Sequence, residues 1–420
     1  MDQMLAWGRR LYLRQINCSR AIARTVFILR QRRARPREGN CAVFPAMQNL
    51  RIRNRESRPL VQGGMGVGVS AHRLAGSVAR EGCVGTISSV DLRRHHPDLM
   101  GAHGNARDKQ AIEQANLVAL DREIRAARER ARGEGLIAVN VMRAVSQYAA
   151  YVRQACASGA DAVVVGAGLA LDLPELAEPW PEVALVPIVS EARAASLIAR
   201  RWLRRGRVPD AIVVEHPRFA GGHLGAARLE EVDDPRFDFA RVLPEIRVAL
   251  HALGLDADRI PLVAAGGINS PQRVAQALDA GAAAVQVGTP FAVAEEGDAH
   301  PNFKRVLAEA RRDDIVVFMS VAGLPARAVR TPWLARYLEK QEILQRRAGK
   351  RRQCTLAWDC LAQCGLRDGL ARSGQFCIDH HLAAALRGDT ERGLFFRGSE
   401  TLPFGAEIRP VRDLVSHLLS

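Results

Sequence analysis

The chain of 420 residues has no apolar run long enough to cross a bilayer as a helix. It has no secretory leader pattern either, because arginines interrupt every apolar stretch near the start. No H-E-x-x-H spacing occurs, which removes the helical zinc-hydrolase pattern. No G-x-G-x-x-G follows the first apolar run, which argues against a doubly wound dinucleotide fold. Acids are nearly missing from residues 1–46, where ten arginines stand against Asp2 and Glu38 alone, with no lysine. That is a net +8 out of +15 for the whole chain. A soluble, cytoplasmic protein is expected.

The remaining positive charge is dispersed and mostly arginine, as on a solvated surface, so neither nucleic acid nor membrane is expected as a partner. The basic extension 1–46 reads either as an amphipathic surface helix or organelle address, or as a non-essential extension, disordered or due to a translation start placed upstream of Met47. The second reading is favoured, and a chain started at Met47 should still bind its cofactor.

What the sequence does have is a rhythm. After residue 58, short apolar runs alternate with longer amphipathic segments. The runs are PLVQGG, VGTISS, LIAVNV, DAVVVGA, ALVPIV, AIVVEH, PLVAAGG and AAVQVGT. Near-continuous apolar runs suit parallel strands buried on both faces. Eight such units in about 240 residues predict a closed (β/α)8 barrel with helical insertions after the second and sixth strands. Ser70 and Ser270 are expected to cap helices, with Pro271 at a first helical position and Gly82 and Gly281 at helix ends. The insertions read equally well as lids or as packing decorations.

Glycines gather at the predicted strand tips: Gly63, Gly64, Gly66 and Gly68, then Gly266 and Gly267, then Gly288 beside Thr289. In barrels the loops after strands seven and eight often hold phosphate on bare backbone N–H groups. The stretch AGGH puts Gly221 and Gly222 before His223 on the same rim. Bare backbone there is expected to admit a flat or phosphorylated ligand, with the imidazole facing it.

The motifs QGGMGVGVS, AVNVM, AGGHLG, AAGGI and VQVGTPF, in this order, resemble those of nitronate monooxygenases over about residues 55–335. The resemblance implies one non-covalent FMN in a barrel domain, residues 47–340. It implies that Gln62, Gly63, Gly64 and Met65 line the flavin and substrate side and that Asn140 bonds the isoalloxazine. Gly221, Gly222, Gly266, Gly267, Gly288 and Thr289 would surround the ribityl phosphate, Gln286 would lie in the same rim, and His223 would be the active-site base. The chain departs from the family pattern at VVEHPRFAGGH, where either Glu215 or His216 would supply the flavin contact. The implied reaction is oxidation of alkyl nitronates by O2 to a carbonyl compound and nitrite. Two alternatives are an enoyl-thioester reductase using FMN and NADH, and a flavin-binding protein without turnover. Oligomeric state is left open.

From residue 341 to 420 a helical extension is expected, with Cys354, Cys360, Cys364 and Cys377 spaced C-x5-C-x3-C-x12-C. Four thiolates are one option for zinc or an iron–sulfur cluster. The last three resemble the cluster spacing of flavin-dependent 2,4-dienoyl-CoA reductases, whose first pair is C-x2-C. The favoured reading is a helical appendage with small buried cysteines. This tail is expected to cover the barrel or its mouth.

Overall fold

Each of the eight apolar runs forms a strand: β1 (Leu60–Gln62), β2 (Val84–Ser88), β3 (Leu136–Met142), β4 (Ala162–Gly166), β5 (Ala184–Val189), β6 (Ile212–Glu215), β7 (Leu262–Ala265) and β8 (Ala284–Val287). They pair in parallel and in chain order, and β8 returns to β1 through Val285 opposite Leu60, closing the barrel. The (β/α)8 expectation therefore holds. The computed structural model describes residues 47–103, 108–349 and 359–420. The leader 1–46 and Cys354 lie outside them.

The apolar runs do not alternate because both strand faces are buried. On β4, Val163 and Val165 face the surrounding helices, whereas Ala162 and Val164 face the barrel interior. The interior layer is mostly alanine and valine. A hairpin, Leu50–Ile52 with Arg55–Ser57, sends Leu50 and Ile52 into that layer. Its Arg53 pairs with Asp210 at 3.2 Å, and its Arg55 pairs with Asp161. Those two acids lie within two residues of the starts of β6 and β4, so the hairpin closes the N-terminal end. The opposite rim is left for a site.

Helix starts follow the expectation in one place and not in another. Ser270 accepts from the Arg273 N–H at 3.3 Å, ahead of Pro271–Asp279. Ser70 does not cap His72–Arg80; its hydroxyl instead accepts from the Met65 N–H at 2.9 Å. The bare amides of Ala71, Arg73 and Leu74 donate to Asp298, at 2.8–3.1 Å. A carboxylate more than 200 residues away has displaced the local cap.

The first insertion is helical, as expected. Asp108 accepts from Gln110 and Ala111 to start the helix Lys109–Ala131. This helix packs tightly on His72–Arg80, where a Cβ on Gly76 would stand 2.7 Å from that of Arg130. Strands Ile315–Met319 and Pro325–Val329 form an antiparallel sheet whose third member is the short strand Gly222–His223. The last described stretch joins the same core. Leu361 bridges Val145, and helix Val411–Leu418 buries Val411, Leu414, Val415 and Leu418.

Candidate active site

At the C-terminal ends of the strands lies a cavity of about 290 Å³. Barrels build their sites there because each strand tip projects its side chain and following loop toward a common centre. Most of the residues singled out in the sequence meet at this cavity: Gly63, Gly64 and Met65 after β1, Asn140 on β3, Glu215 on β6, Gly266 and Gly267 after β7, and Gln286, Gly288 and Thr289 on and after β8. Gly221, Gly222 and His223 join them. Gln62 and His216 do not line it. Gln62 is fully buried in the wall, where its amide takes the Thr86 N–H at 2.8 Å and gives a hydrogen bond to the Thr86 carbonyl at 3.0 Å. It thereby extends the short β1–β2 pairing. His216 sends Nε2 to Asp238, 3.1 Å away. Burial lowers its pKa, partly offset by that carboxylate. At the departure from the family pattern, therefore, Glu215 faces the cavity and His216 faces away.

The glycines are bare for different reasons. A Cβ on Gly64 would stand 2.3 Å from the Asn140 Cβ, so this glycine makes room for Asn140. Gly267 has φ +77° and lies against the Phe219 ring. At Gly221 a Cβ would meet the Arg397 carbonyl carbon and the Gly398 nitrogen at 2.5 Å. The C-terminal segment, rather than a ligand, occupies that space. Gly398 N–H also donates to the Thr289 hydroxyl at 3.0 Å, and Ser399 N–H to the Phe219 carbonyl at 3.2 Å. Gly288 is different: a Cβ there would have only the Met65 sulfur near it, at 3.9 Å, and would project into the cavity. This open backbone beside Thr289–Ala292 fits a phosphate-bearing flavin, since anionic oxygens can reach main-chain N–H groups without a side chain in the way.

His223 sits on the three-stranded sheet opposite Ala326 and lines the cavity. Its Nε2 is 3.0 Å from the Ser320 hydroxyl. Burial pushes its pKa down to about 4, so the ring is neutral at ordinary pH. The structure gives Nδ1 no protein partner among the described residues. Glu215 is shifted in the opposite direction: burial raises its carboxyl to about 7, against the pull of Arg327. Arg327 is itself held by the carbonyls of Pro217, at 3.0 Å, and of Ala220. The site thus contains a neutral imidazole and a carboxyl poised near neutrality.

Ser320, Arg327 and the wall made by the last stretch of chain, including Asp379 and Phe396, were not visible in the sequence as site residues. Ser320 ends the run IVVFMS, which reads only as a strand. Its approach to His223 spans 97 positions and leaves no local signal. Among the described residues, which include Cys360, Cys364 and Cys377 but not Cys354, no cluster of three or more His, Cys, Asp or Glu is arranged to hold an ion. Cys360 lines the cavity, Cys364 is buried, and Cys377 precedes Ile378–Leu386. No helix among the described residues is long and apolar enough to cross a membrane.

Comparison with known proteins agrees with this geometry. A probable nitronate monooxygenase of Bacillus subtilis (strain 168) is 32% identical over 143 residues, 33% of this chain and 38% of that protein. The chain thus spans a little over a third of that relative's length. A (3aS,4S,5R,7aS)-5-hydroxy-7a-methyl-1-oxo-octahydro-1H-indene-4-carboxyl-CoA dehydrogenase of Mycobacterium tuberculosis is 29% identical over 260 residues, 56% of this chain and 66% of that protein. The crystal structure of nitroalkane oxidase from Streptomyces ansochromogenes matches with a TM-score of 0.58 at 20% identity, over 86% of this chain and 94% of the other, a likeness of fold. A family model described as nitronate monooxygenase matches residues 54–420, and with the barrel, the glycine rim and the half-buried histidine on one cavity, the chain belongs to the nitronate monooxygenase family.

Proposed function

We propose that the protein is an FMN-dependent oxidoreductase that converts alkyl nitronates and O2 to carbonyl compounds and nitrite. The observation that carries this reading is His223, a half-buried neutral imidazole facing the same cavity as the open backbone of Gly288. Gly288, Thr289 and the neighbouring rim would hold the flavin phosphate, while Gly63, Gly64 and Asn140 would meet the ring system. The bound flavin would supply electron acceptance from the substrate and transfer to oxygen.

The chain's own contribution is to place the substrate and manage one proton. In the tautomer whose Nε2–H donates to Ser320, the neutral ring keeps the Nδ1 lone pair for the cavity. That lone pair can accept the α-proton of a neutral nitroalkane. A pKa near 4 makes the free ring a weak base. The anion that develops on the substrate favours the imidazolium and restores basicity at the moment of transfer. A nitronate supplied as the anion needs no such step and is only positioned.

A second reading is oxidation or reduction next to a thioester. It is favoured by the CoA dehydrogenase whose match covers 56% of this chain. An α-proton beside a thioester carbonyl poses the same task for His223. One experiment separates the two: the purified holoprotein is mixed with 1-nitropropane nitronate or with an enoyl-CoA plus NADH. The first reading expects nitrite release and oxygen uptake. Thioester turnover without nitrite formation would replace it with the second, and a protein yielding no FMN on denaturation would remove both.

A further inference from the structure

The cavity has a second wall that the barrel does not make. Helix Ile378–Leu386 turns Ile378, Leu382 and Ala385 toward the cavity. Their spacing, i, i+4 and i+7, is one apolar helical stripe. In most helices of this kind the stripe is spent on the protein's own core. Here Ile378 and Ala385 also pack into the core, but half-buried Leu382 lies between them and all three border the cavity, beside Leu361 and Leu394 of the same segment and Met142 of the barrel.

The charges around it are one-sided. Among the described residues that line the cavity there is no lysine or arginine, and the acids are Glu215, Asp379 and Glu400. Asp379 already has a counter-ion, the Arg94 guanidinium at 2.8 Å, and Arg94 also binds the buried Asp91. Glu400 lies 4.0 Å from Arg273 at the rim. A carboxylate carried into this lobe would find no free cation and would lose its hydration. The Asp379–Arg94 pair has a clear structural consequence: it pins the helix to the insertion after β2, so the stripe is presented in a fixed position.

We infer that this wall is a binding subsite for an uncharged aliphatic or alicyclic body of the substrate, and that it disfavours substrates ending in a second negative charge. The inference deepens the proposed function, since it rests on the glycine rim taking the flavin and leaving the C-terminal wall to the substrate. The reacting nitro or nitronate head lies toward His223. The rest of the molecule lies along Leu382, Ile378 and Leu361.

Isothermal titration calorimetry on the full chain as purified tests it, with nitroethane, 1-nitrobutane, 1-nitrohexane and 6-nitrohexanoate as probes. Each added methylene should lower Kd by about fourfold, the worth of one buried CH2. The carboxylate should bind roughly tenfold or more weakly than 1-nitrohexane. Leu382→Asp should abolish the chain-length gain. Should that variant fail to fold, as judged by circular dichroism, Leu382→Trp serves instead. It fills the lobe and should raise the Kd of 1-nitrohexane toward that of nitroethane. A flat Kd across the series, tighter binding of 6-nitrohexanoate, or a Leu382→Trp protein that keeps the full gain would overturn the subsite. With oxygen excluded, so that the probes are not turned over, calorimetry reads these outcomes independently of a separate nitrite assay. A chain-length gain without nitrite leaves the subsite standing and removes the reaction, and nitrite formation with a flat series does the reverse.

Discussion

Gly221 and Arg397 are packed backbone to backbone: a Cβ on the glycine would stand 2.5 Å from the Arg397 carbonyl carbon. Nothing in that contact can yield cheaply, because both partners are main chain. The segment is also fixed by Arg397 itself, whose Nε donates to the Leu307 carbonyl at 2.9 Å. Gly221→Val should therefore displace residues 396–399 and destabilise the protein by about 1–3 kcal/mol, the usual cost of overpacking. Urea denaturation of the flavin-free protein measures it. An unchanged midpoint would mean that the strap is not held as described.

Gly288→Val should behave in the opposite way. Its side chain would enter open cavity, so the flavin-free protein should lose little stability. The branches would stand where phosphate oxygens approach backbone N–H groups. FMN retention through gel filtration should fall sharply. A variant that keeps stoichiometric FMN would move the phosphate site away from this loop.

The barrel was legible in the sequence because its signal is repeated and local. Runs such as DAVVVGA and ALVPIV are apolar at successive positions, and only a strand buried on both faces rewards that. The rim glycines were legible as a group for the same reason, yet their individual causes were not. Gly64 serves Asn140 and Gly221 serves Arg397, and each pairing spans a long stretch of chain. Asp298 capping Ala71, Arg73 and Leu74 is another long-range substitution for a local signal. The wall Ile378, Leu382 and Ala385 reads in sequence as an ordinary amphipathic stripe. What it faces is a tertiary fact. Glu215 and His216 are adjacent, and only the structure decides which of them enters the cavity.

Glu215 makes stability depend on pH in a definite direction. Its carboxyl titrates near 7 in the folded protein because burial disfavours the charge. In the unfolded chain it should titrate near the ordinary glutamate value. Stability from this group is therefore full below about pH 4.5 and is lost as pH rises through 7. Glu215→Gln removes the buried charge. It should stabilise the protein at pH 8.5 by up to on the order of 3 kcal/mol, with the gain falling below about 1 kcal/mol at pH 5 and vanishing below about pH 4. Thermal melts at the two pH values, at matched flavin content, check the sign. A loss of stability at pH 8.5 would show the carboxyl to be charged and well paired instead.

The last prediction separates proton transfer from positioning at His223. Asparagine keeps a hydrogen-bonding group of similar reach beside Ser320, so His223→Asn should remain folded and retain FMN. It cannot accept a proton. Turnover of neutral 1-nitropropane should fall by about 10²–10⁴-fold, the typical worth of a general base. The pre-formed nitronate needs no deprotonation and should lose much less. Ser320→Ala leaves the base in place but frees its Nε2 side. It should lower kcat for the neutral substrate by about fivefold, roughly the 1 kcal/mol of one hydrogen bond, with KM nearly unchanged. Steady-state nitrite assays on both substrate forms read all four comparisons. Equal losses on nitroalkane and nitronate in His223→Asn would make the imidazole a positioning group. Full activity on both would remove it from the chemistry and leave the residue as part of the sheet formed with Ala326.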